Sequence, residues 1–217
     1  MQDQDIKDYL KNNPEFFEQN ANFLADIHLP SPHGNGTISL AERQQLAQRD
    51  KINALETMFA ELVLNAKEND AIANKIHTFN LRLHQAKNFD ALEQLISHNL
   101  PEYFGLSDTC LRIWAHPLDS RNRSNLVFSE VSSDAKTWAA AQLTPYCGKP
   151  PEIVEEDWFL EPAASMALIP LRLDQTIGFL ALASDDERRF FSEMGTDFLS
   201  KIGEIVSASL SRTLDLT

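Results

Sequence analysis

The sequence predicts an α+β protein in which short helices and one long helix precede a domain with an antiparallel sheet and flanking helices. Three observations support this class. Residues 37–100 contain neither glycine nor proline, so both helix breakers are absent from a segment far longer than an ordinary helix. Residues 109–114, 164–171 and 177–183 show the alternating or continuously apolar pattern of strands. Residues 196–214 return to helical spacing, which predicts a closing amphipathic helix.

The composition excludes several classes of protein. The chain of 217 residues is 43% hydrophobic and contains 13 phenylalanines, which is enough for a real core, so wholesale disorder is excluded. The net charge of -13 repels phosphate. We therefore expect neither nucleic acid nor an anionic membrane as a direct partner.

The sequence also carries expectations about compartment. Its two cysteines, Cys110 and Cys147, imply neither a disulfide framework nor a zinc ribbon. The N-terminus lacks the basic region and apolar run of a signal peptide. No stretch reaches the roughly 20 apolar residues that span a bilayer. We therefore expect a cytoplasmic protein with reduced thiols and no cofactor.

Residues 3–30 are predicted to form short helices. Ile6, Tyr9 and Leu10 give an apolar face, and Pro14 suits the first turn of a second helix. The aromatic residues that follow are too many for a free tail, so this region should cover the long helix or a partner. Residues 28–36 are rich in proline and glycine, which predicts a turn or loop.

The long helix is predicted to begin at a capping box formed by Ser39 and Glu42 and to end near Ala86. Apolar residues recur along it at steps of three and four, the pattern of a coiled-coil seam, although Asn69 and Asn80 interrupt it. A stripe this narrow needs a partner surface, so we expect a homodimer. The predicted dimer interface consists of Ile52, Leu55, Phe59, Leu62, Ala66, Ile76 and Leu83, and Ala73 belongs to the same seam. The alternative is that residues 3–30 of the same chain pack along this stripe.

The remaining elements are predicted from local signals. Residues 87–90 should break the long helix, and Asp90 with Glu93 should cap a second helix that ends at Pro101 or Gly105. Further along, the pattern predicts a strand at 125–131, a helix at 134–143, and a surface excursion over 144–162. The two apolar strands that follow should form a hairpin covered on both faces.

Several motifs resemble a known family. The run Tyr9-Leu-Lys-Asn-Asn-Pro-Glu-Phe-Phe17 and the run Ile38-Ser-Leu-Ala-Glu-Arg-Gln44 resemble the head of the bacterial domain-of-unknown-function family 484. Near the C-terminus, Ala167-Leu-Ile-Pro-Leu171 and Gly178-Phe-Leu-Ala-Leu-Ala-Ser-Asp185 resemble its tail. The resemblance implies a helical N-terminal part followed by a GAF-like domain, which is a small sensor and dimerisation module. It implies the division 1–87 and 88–217, and no established activity.

The sequence lacks the minimal motifs of common chemistries. The His-Glu-x-x-His, Cys-x-x-Cys and Gly-x-Ser-x-Gly patterns are absent, and the six histidines are scattered, so we expect neither a metal site nor an enzyme. The signature of cyclic-nucleotide-binding GAF domains is also absent. Cys110 is expected to be buried, whereas Cys147 is expected to be the more exposed thiol.

A ligand pocket remains a candidate. Arg112 and Trp114 lie on one face of a predicted strand, and Trp158 and Phe159 lie in the loop that would close over it. Arg112 could pair with an anion, and the indoles could line an apolar ligand. The alternative is that the aromatic residues fill the pocket and that Arg112 pairs with one of Glu152, Glu155, Glu156 or Asp157.

Three functional hypotheses follow. The first is a non-enzymatic regulatory sensor in which a small ligand shifts the helix seam. The second is a passive adaptor whose GAF-like domain binds an unidentified protein and no ligand. The third, an enzyme with an unrecognised site, is the least supported, because no catalytic motif is present.

Overall fold

The computed structural model describes residues 2–31, 37–155 and 158–215. The chain divides into two compact units, Met1–Lys67 and Glu68–Thr217. This division lies within the long helix, some way before the predicted boundary at residue 87. The reason is that the last turns of that helix pack into the core of the C-terminal unit.

The N-terminal unit begins with three short helices, as the sequence predicts: α1 (Asp3–Asn12), α2 (Glu15–Gln19) and α3 (Ala21–Asp26). Two short strands, β1 (His28–Pro30) and β2 (Thr37–Ser39), then pair antiparallel. The predicted loop at 28–36 is therefore a strand at its start. Residues 32–36 of that loop lie outside the described residues.

The long helix α4 spans Leu40–Gln85, which confirms the prediction from the glycine-free and proline-free run. Its capping box is formed as expected. The backbone N–H of Ser39 donates to the Glu42 carboxylate at 2.9 Å, and the Glu42 N–H donates to Ser39 Oγ at 3.2 Å. These hydrogen bonds hold the pKa of Glu42 below its ordinary value, the Ser39 amide being the main cause.

The C-terminal end of α4 belongs to the core of the second unit. Ile76, Phe79 and Leu83 are buried there, and Leu83 is fully covered. This corrects the predicted dimer interface, because Ile76 and Leu83 contact the chain's own core and are not available to a second chain. Sequence spacing alone could not separate these residues from the seam, since both stripes repeat every three to four residues.

The chain then breaks at residues 86–88 and continues as α5 (Phe89–Gln94), a π-helical turn at Leu95–Asn99, and α6 (Leu100–Phe104). The cap of α5 is Asn88, whose side chain accepts from the Ala91 N–H at 3.0 Å, and not Asp90 as predicted. Gly105 ends α6 in the left-handed conformation with φ 62°.

The C-terminal unit is built on a four-stranded antiparallel sheet. Its strands are β3 (Asp108–Ile113), β5 (Tyr146–Gly148), β6 (Ser165–Arg172) and β7 (Thr176–Ser184). Their order across the sheet is β3-β7-β6-β5. A separate small pair joins β4 (His116–Pro117) to β8 (Leu214–Asp215). The antiparallel α+β class expected from the sequence is confirmed.

Two elements differ from the prediction. Residues 125–131 contain a short 3-10 helix, Leu126–Phe128, where a strand was expected. The expected excursion at 144–162 contains β5, which pairs with β6 at the sheet edge. The second difference comes from tertiary pairing, because a three-residue strand carries too little pattern to be read from sequence. At the first, the Asn125 side chain accepts from the Val127 N–H at 2.9 Å and starts the 3-10 turn. The predicted helices are present as α7 (Ser133–Ala141) and α8 (Asp197–Leu210).

The sheet is covered on both faces, as predicted for an apolar hairpin. Leu111, Ile169 and Leu180 pack on one side against α4, α5 and α8, within a larger core cluster. The opposite side packs against α7 and the loop before β6. Its buried members are Cys110, Val131, Ala135, Ala139, Trp158, Met166, Leu168, Phe179 and Ala181, here called the loop-side cluster. No helix within the described ranges is both long and apolar enough to cross a membrane.

Candidate functional site

The face of the sheet predicted to hold a ligand is filled by aromatic side chains. Trp158 comes from the loop and is only 5% exposed. Its ring stacks on Phe179 of β7 with 4.5 Å between ring centroids, and Trp114 meets the same ring edge-on at 5.9 Å. Phe179 therefore contacts both indoles, and these aromatic side chains occupy the space predicted for a ligand.

Trp114 also has its polar atom satisfied. Its Nε1–H donates to the backbone oxygen of Thr176 at 2.8 Å. Phe159 is half-buried against the loop-side cluster. The three aromatic residues predicted for the site, Trp114, Trp158 and Phe159, are therefore brought together. Trp158 is a member of the loop-side cluster, and Trp114 and Phe159 pack against that cluster, so all three belong to one packed core.

Arg112 lies on the same side of the sheet, directly opposite Phe179 in the strand register. It is 9% exposed, and its Nη1 donates to the Leu111 carbonyl oxygen at 3.3 Å. Within residues 2–31, 37–155 and 158–215, no carboxylate oxygen lies within 4.0 Å of this guanidinium. Glu152 and Glu155 therefore do not pair with it, and the other predicted partners, Glu156 and Asp157, lie outside the described residues.

The loop that carries Trp158 is fastened to the sheet edge by Asp108. One carboxylate oxygen of Asp108 accepts from the Leu160 N–H at 3.1 Å, and the other accepts from the Thr109 N–H at 2.7 Å. The Leu160 side chain itself is 93% exposed. The backbone at this point is thus held by the carboxylate and not by apolar packing, an attachment that no local sequence signal marks.

Cys147 corrects one prediction. It was expected to be an exposed thiol, but it is buried in β5, and burial raises its pKa to about 11. A thiol with such a pKa is almost entirely protonated at neutral pH and is a poor nucleophile. Cys110 is buried, as predicted.

A polar groove of about 450 Å³ lies elsewhere in the C-terminal unit, beside Asn88, Asp119 and Arg121. Arg121 donates to the Asp119 carboxylate at 2.6 Å, and this hydrogen bond lowers the pKa of Asp119 to about 2. The pair neutralises itself, so the groove presents little net charge to a ligand. No cluster of three or more potential metal-ligating side chains occurs in the described part of the chain.

The N-terminal unit carries the other candidate surface. Along α4, six large apolar side chains form an exposed stripe, here called the α4 stripe. Its members are Ile52 at 54%, Leu55 at 53%, Met58 at 58%, Phe59 at 68%, Leu62 at 60% and Val63 at 38% exposure. Ala66 extends it and is also exposed.

The α4 stripe includes four predicted interface residues and adds Met58 and Val63, which the sequence reasoning missed. Both lie beside the seam, and a prediction restricted to the residues of the three-and-four repeat does not include them. Because Leu55, Phe59 and Leu62 are each more than half exposed, residues 3–30 of the same chain do not cover them. The alternative of packing within the chain is therefore wrong for these positions.

Comparisons with other proteins place the chain among bacterial relatives. A protein of Salmonella typhimurium, described as "Uncharacterized protein YigA", is 26% identical over 219 residues, covering 98% of this chain and 92% of the relative. The Escherichia coli protein of the same description is 27% identical over 222 residues, covering 99% and 93%.

The solved structures include the GAF domain of a protein assigned as a sensor histidine kinase from Pseudomonas syringae pv. tomato. The similarity has a TM-score of 0.44 at 16% identity and covers 68% of this chain and 90% of that domain. The sequence profile of the family described as "Protein of unknown function, DUF484" matches residues 1–215. The chain therefore belongs to the DUF484 family, as its sequence motifs predicted.

Proposed function

We propose that this chain is a non-enzymatic regulatory protein of the cytoplasm that works as a homodimer, joined through α4, with a GAF-like C-terminal unit. The observation that carries the proposal is the α4 stripe. Six large apolar side chains on one helix are a third or more exposed within the chain. Stripes of this kind are typical of surfaces that bind another protein.

The C-terminal unit supports an adaptor role more than an enzymatic one. Its Cys147 thiol is buried and its Arg121–Asp119 pair is self-neutralised, so neither offers a reactive group. The loop-side face is filled by Trp158 stacked on Phe179. We therefore favour a unit that acts through contacts with an unidentified protein partner over one that binds a small ligand.

The experiment for the dimer is multi-angle light scattering on the full chain at micromolar concentration, comparing wild type with Leu62→Ser and Leu64→Ser. Leu62 and Leu64 are 60% and 58% exposed, but only Leu62 belongs to the α4 stripe. Losing a leucine from both chains removes about 2–3 kcal/mol of stabilisation from apolar burial, which raises the dissociation constant about 30-fold to 140-fold.

Leu64→Ser is the matched control, since it removes the same side chain from outside the stripe. We expect a wild-type dimer, a Leu64→Ser dimer and a Leu62→Ser monomer. A monomeric wild type, or equal weakening by both variants, contradicts the proposal.

Ligand sensing is the second candidate, and one observation favours it. Arg112 is a cation with only 9% exposure on the loop-side face, and its described contact is a single long hydrogen bond to a carbonyl. A small anion with an apolar body would complement such a group if Trp158 moved aside. In this version Arg112, Trp114, Trp158 and Phe159 line the site, and the ligand replaces the indole.

Thermal-shift screening of wild type and Trp158→Phe against small carboxylates and phosphates separates the two candidates. An anion that enters this site raises the unfolding midpoint of the wild type. It should raise the midpoint of Trp158→Phe further, since a smaller ring is easier to displace. If no anion stabilises either protein, the sensing candidate fails and the adaptor candidate stands.

A further inference from the structure

The residues beside the α4 stripe carry information about the partner's direction and alignment. In a heptad written a to g, Ile52 and Phe59 occupy a positions, and Leu55 and Leu62 occupy d positions. Isoleucine at a with leucine at d favours two-stranded parallel coiled coils. Ile52 with Leu55 follows this choice, whereas Phe59 is not β-branched, so the seam itself favours two strands and the flanking residues are needed to assign their direction.

The flanking e and g positions over residues 49–63 hold three charges without a partner on their own helix, Arg49, Lys51 and Glu56, and the last two have opposite signs. Lys51 is at a g position and Glu56 at the following e position, and both are exposed. Intrahelical ion pairs need a spacing of three or four residues. At those spacings, Lys51 has only Ala47, Gln48, Ala54 and Leu55 as neighbours, and Glu56 has only Ile52, Asn53, Phe59 and Ala60.

A parallel, unshifted pair of α4 helices places each g residue beside the e residue five positions later in the other chain. Lys51 then meets Glu56 of the second copy, which joins opposite charges. By the same rule Met58 meets Val63, which joins two apolar side chains. In this arrangement, therefore, charged flanking residues meet opposite charges and apolar flanking residues meet apolar ones.

Other arrangements lose this complementarity. A shift by one heptad, about 10 Å, places one Lys51 beside Arg49 and the other beside Val63. In an antiparallel pair, g positions face g and e positions face e, so Lys51 and Glu56 lie on opposite flanks and cannot meet.

We infer that the α4 stripe binds the α4 stripe of a second copy of this chain in a parallel, in-register coiled coil, with Lys51 paired to Glu56 across the interface. The inference rests on the proposed homodimer and adds its direction and alignment. A consequence is that the two copies of residue 68 lie side by side, so both C-terminal units begin at the same end of the coil.

Disulfide trapping in the full chain tests the direction. Gln48→Cys and Asn69→Cys each place a thiol at a d position outside the α4 stripe, where parallel in-register helices bring the two copies within disulfide distance. Both single variants should form covalent dimers under mild oxidation. Wild type is the background control, since its two cysteines are buried.

The outcomes separate this inference from the proposed dimer. An antiparallel pair brings at most one of the two positions onto its own copy, and a heptad shift brings neither. A dimer by light scattering that fails to cross-link at both sites overturns the parallel in-register arrangement and leaves the dimer standing. A monomer overturns both.

Charge reversal tests the pairing. Lys51→Glu and Glu56→Lys should each weaken dimerisation about tenfold, because two attractive pairs per dimer become repulsive. The double variant should regain wild-type affinity. Reversals at Glu61→Lys and Lys67→Glu, which lie away from the e and g positions, should change affinity little. A double variant as weak as the single variants overturns the proposed pair.

Discussion

At the scale of single residues, close backbone packing explains why some positions tolerate no added atom. Gly178 of β7 lies opposite Ile113 in the register of β3. A Cβ built on Gly178 would collide with the carbonyl oxygen of Arg112, which is backbone and cannot rotate away. This glycine therefore permits the close approach of β7 to β3, the strand that holds Arg112.

The corresponding prediction concerns Gly178→Ala. The added methyl group forces the strands apart, which should lower the free energy of unfolding by about 1–3 kcal/mol. Urea denaturation monitored by circular dichroism measures this. Gly195→Ala is the control, since nothing lies within 4 Å of its Cβ and its φ is not positive, and it should change little. Equal effects of the two substitutions would contradict the packing argument.

Arg172 is a second residue whose role only the fold reveals. Its Nη2 donates to the carbonyl oxygens of Ala139 and Ala140, at 3.1 and 3.0 Å, and to that of Gln142. These carbonyls are at the C-terminus of α7, where helical hydrogen bonding leaves them unpaired. A strand residue thus caps a helix that precedes it by some 30 residues, a distance no local motif spans.

At the scale of elements, helix ends follow local rules well. The start of α4 at Ser39 and Glu42 lies where the capping box predicts it. Of the two predicted ends of the following helical segment, Pro101 and Gly105, the structure selects Gly105, because α6 continues through Pro101. The start of α5 shows the limit of such signals. Both Asn88 and Asp90 suit a cap by residue type, and only the backbone conformation selected Asn88.

For α5 the prediction is that Asn88→Ala lowers the free energy of unfolding by about 1 kcal/mol, because the Ala91 N–H loses its acceptor. Asn88→Asp keeps an acceptor at the same atom position and should stay close to wild type. Thermal and urea unfolding of the two variants gives the comparison. If alanine and aspartate behave alike, the side-chain cap does not stabilise this helix.

At the scale of the whole molecule, association should appear in stability. A protein that unfolds from a dimer has an unfolding midpoint that rises with protein concentration. Wild type and Leu64→Ser should both show this rise by scanning calorimetry, whereas Leu62→Ser should lose it. Leu62 and Leu64 have nearly equal exposure. If only Leu62→Ser removes the concentration dependence of the unfolding midpoint, the α4 stripe causes it and general surface hydrophobicity does not.

Much of this architecture could be predicted from sequence because its signals are local. The length of α4, the two apolar strands β6 and β7, and the α+β class all follow from residue spacing and from the positions of glycine and proline. The family could be recognised from short runs near both ends. The short strands β5 and β8 could not, because their pairing depends on partners far along the chain.

The candidate site was predicted in part. Trp114, Trp158 and Phe159 do lie together, and Arg112 shares their side of the sheet. What the pattern could not give is that Phe179 fills the space between the two indoles. An apolar residue in a strand predicts burial but not the ring against which it stacks, so a pocket and a filled core look alike in sequence.

By itself, the sequence determined that a long amphipathic helix precedes an antiparallel domain, since periodicity and helix breakers act over a few neighbouring residues. Only the tertiary structure decided which part of that helix is available to a partner. Ile76 and Leu83 are buried because they pack against the sheet and helices of the C-terminal unit, whereas Leu55 and Leu62 are exposed. The two sets repeat with the same spacing, and burial depends on what lies opposite, which spacing does not encode.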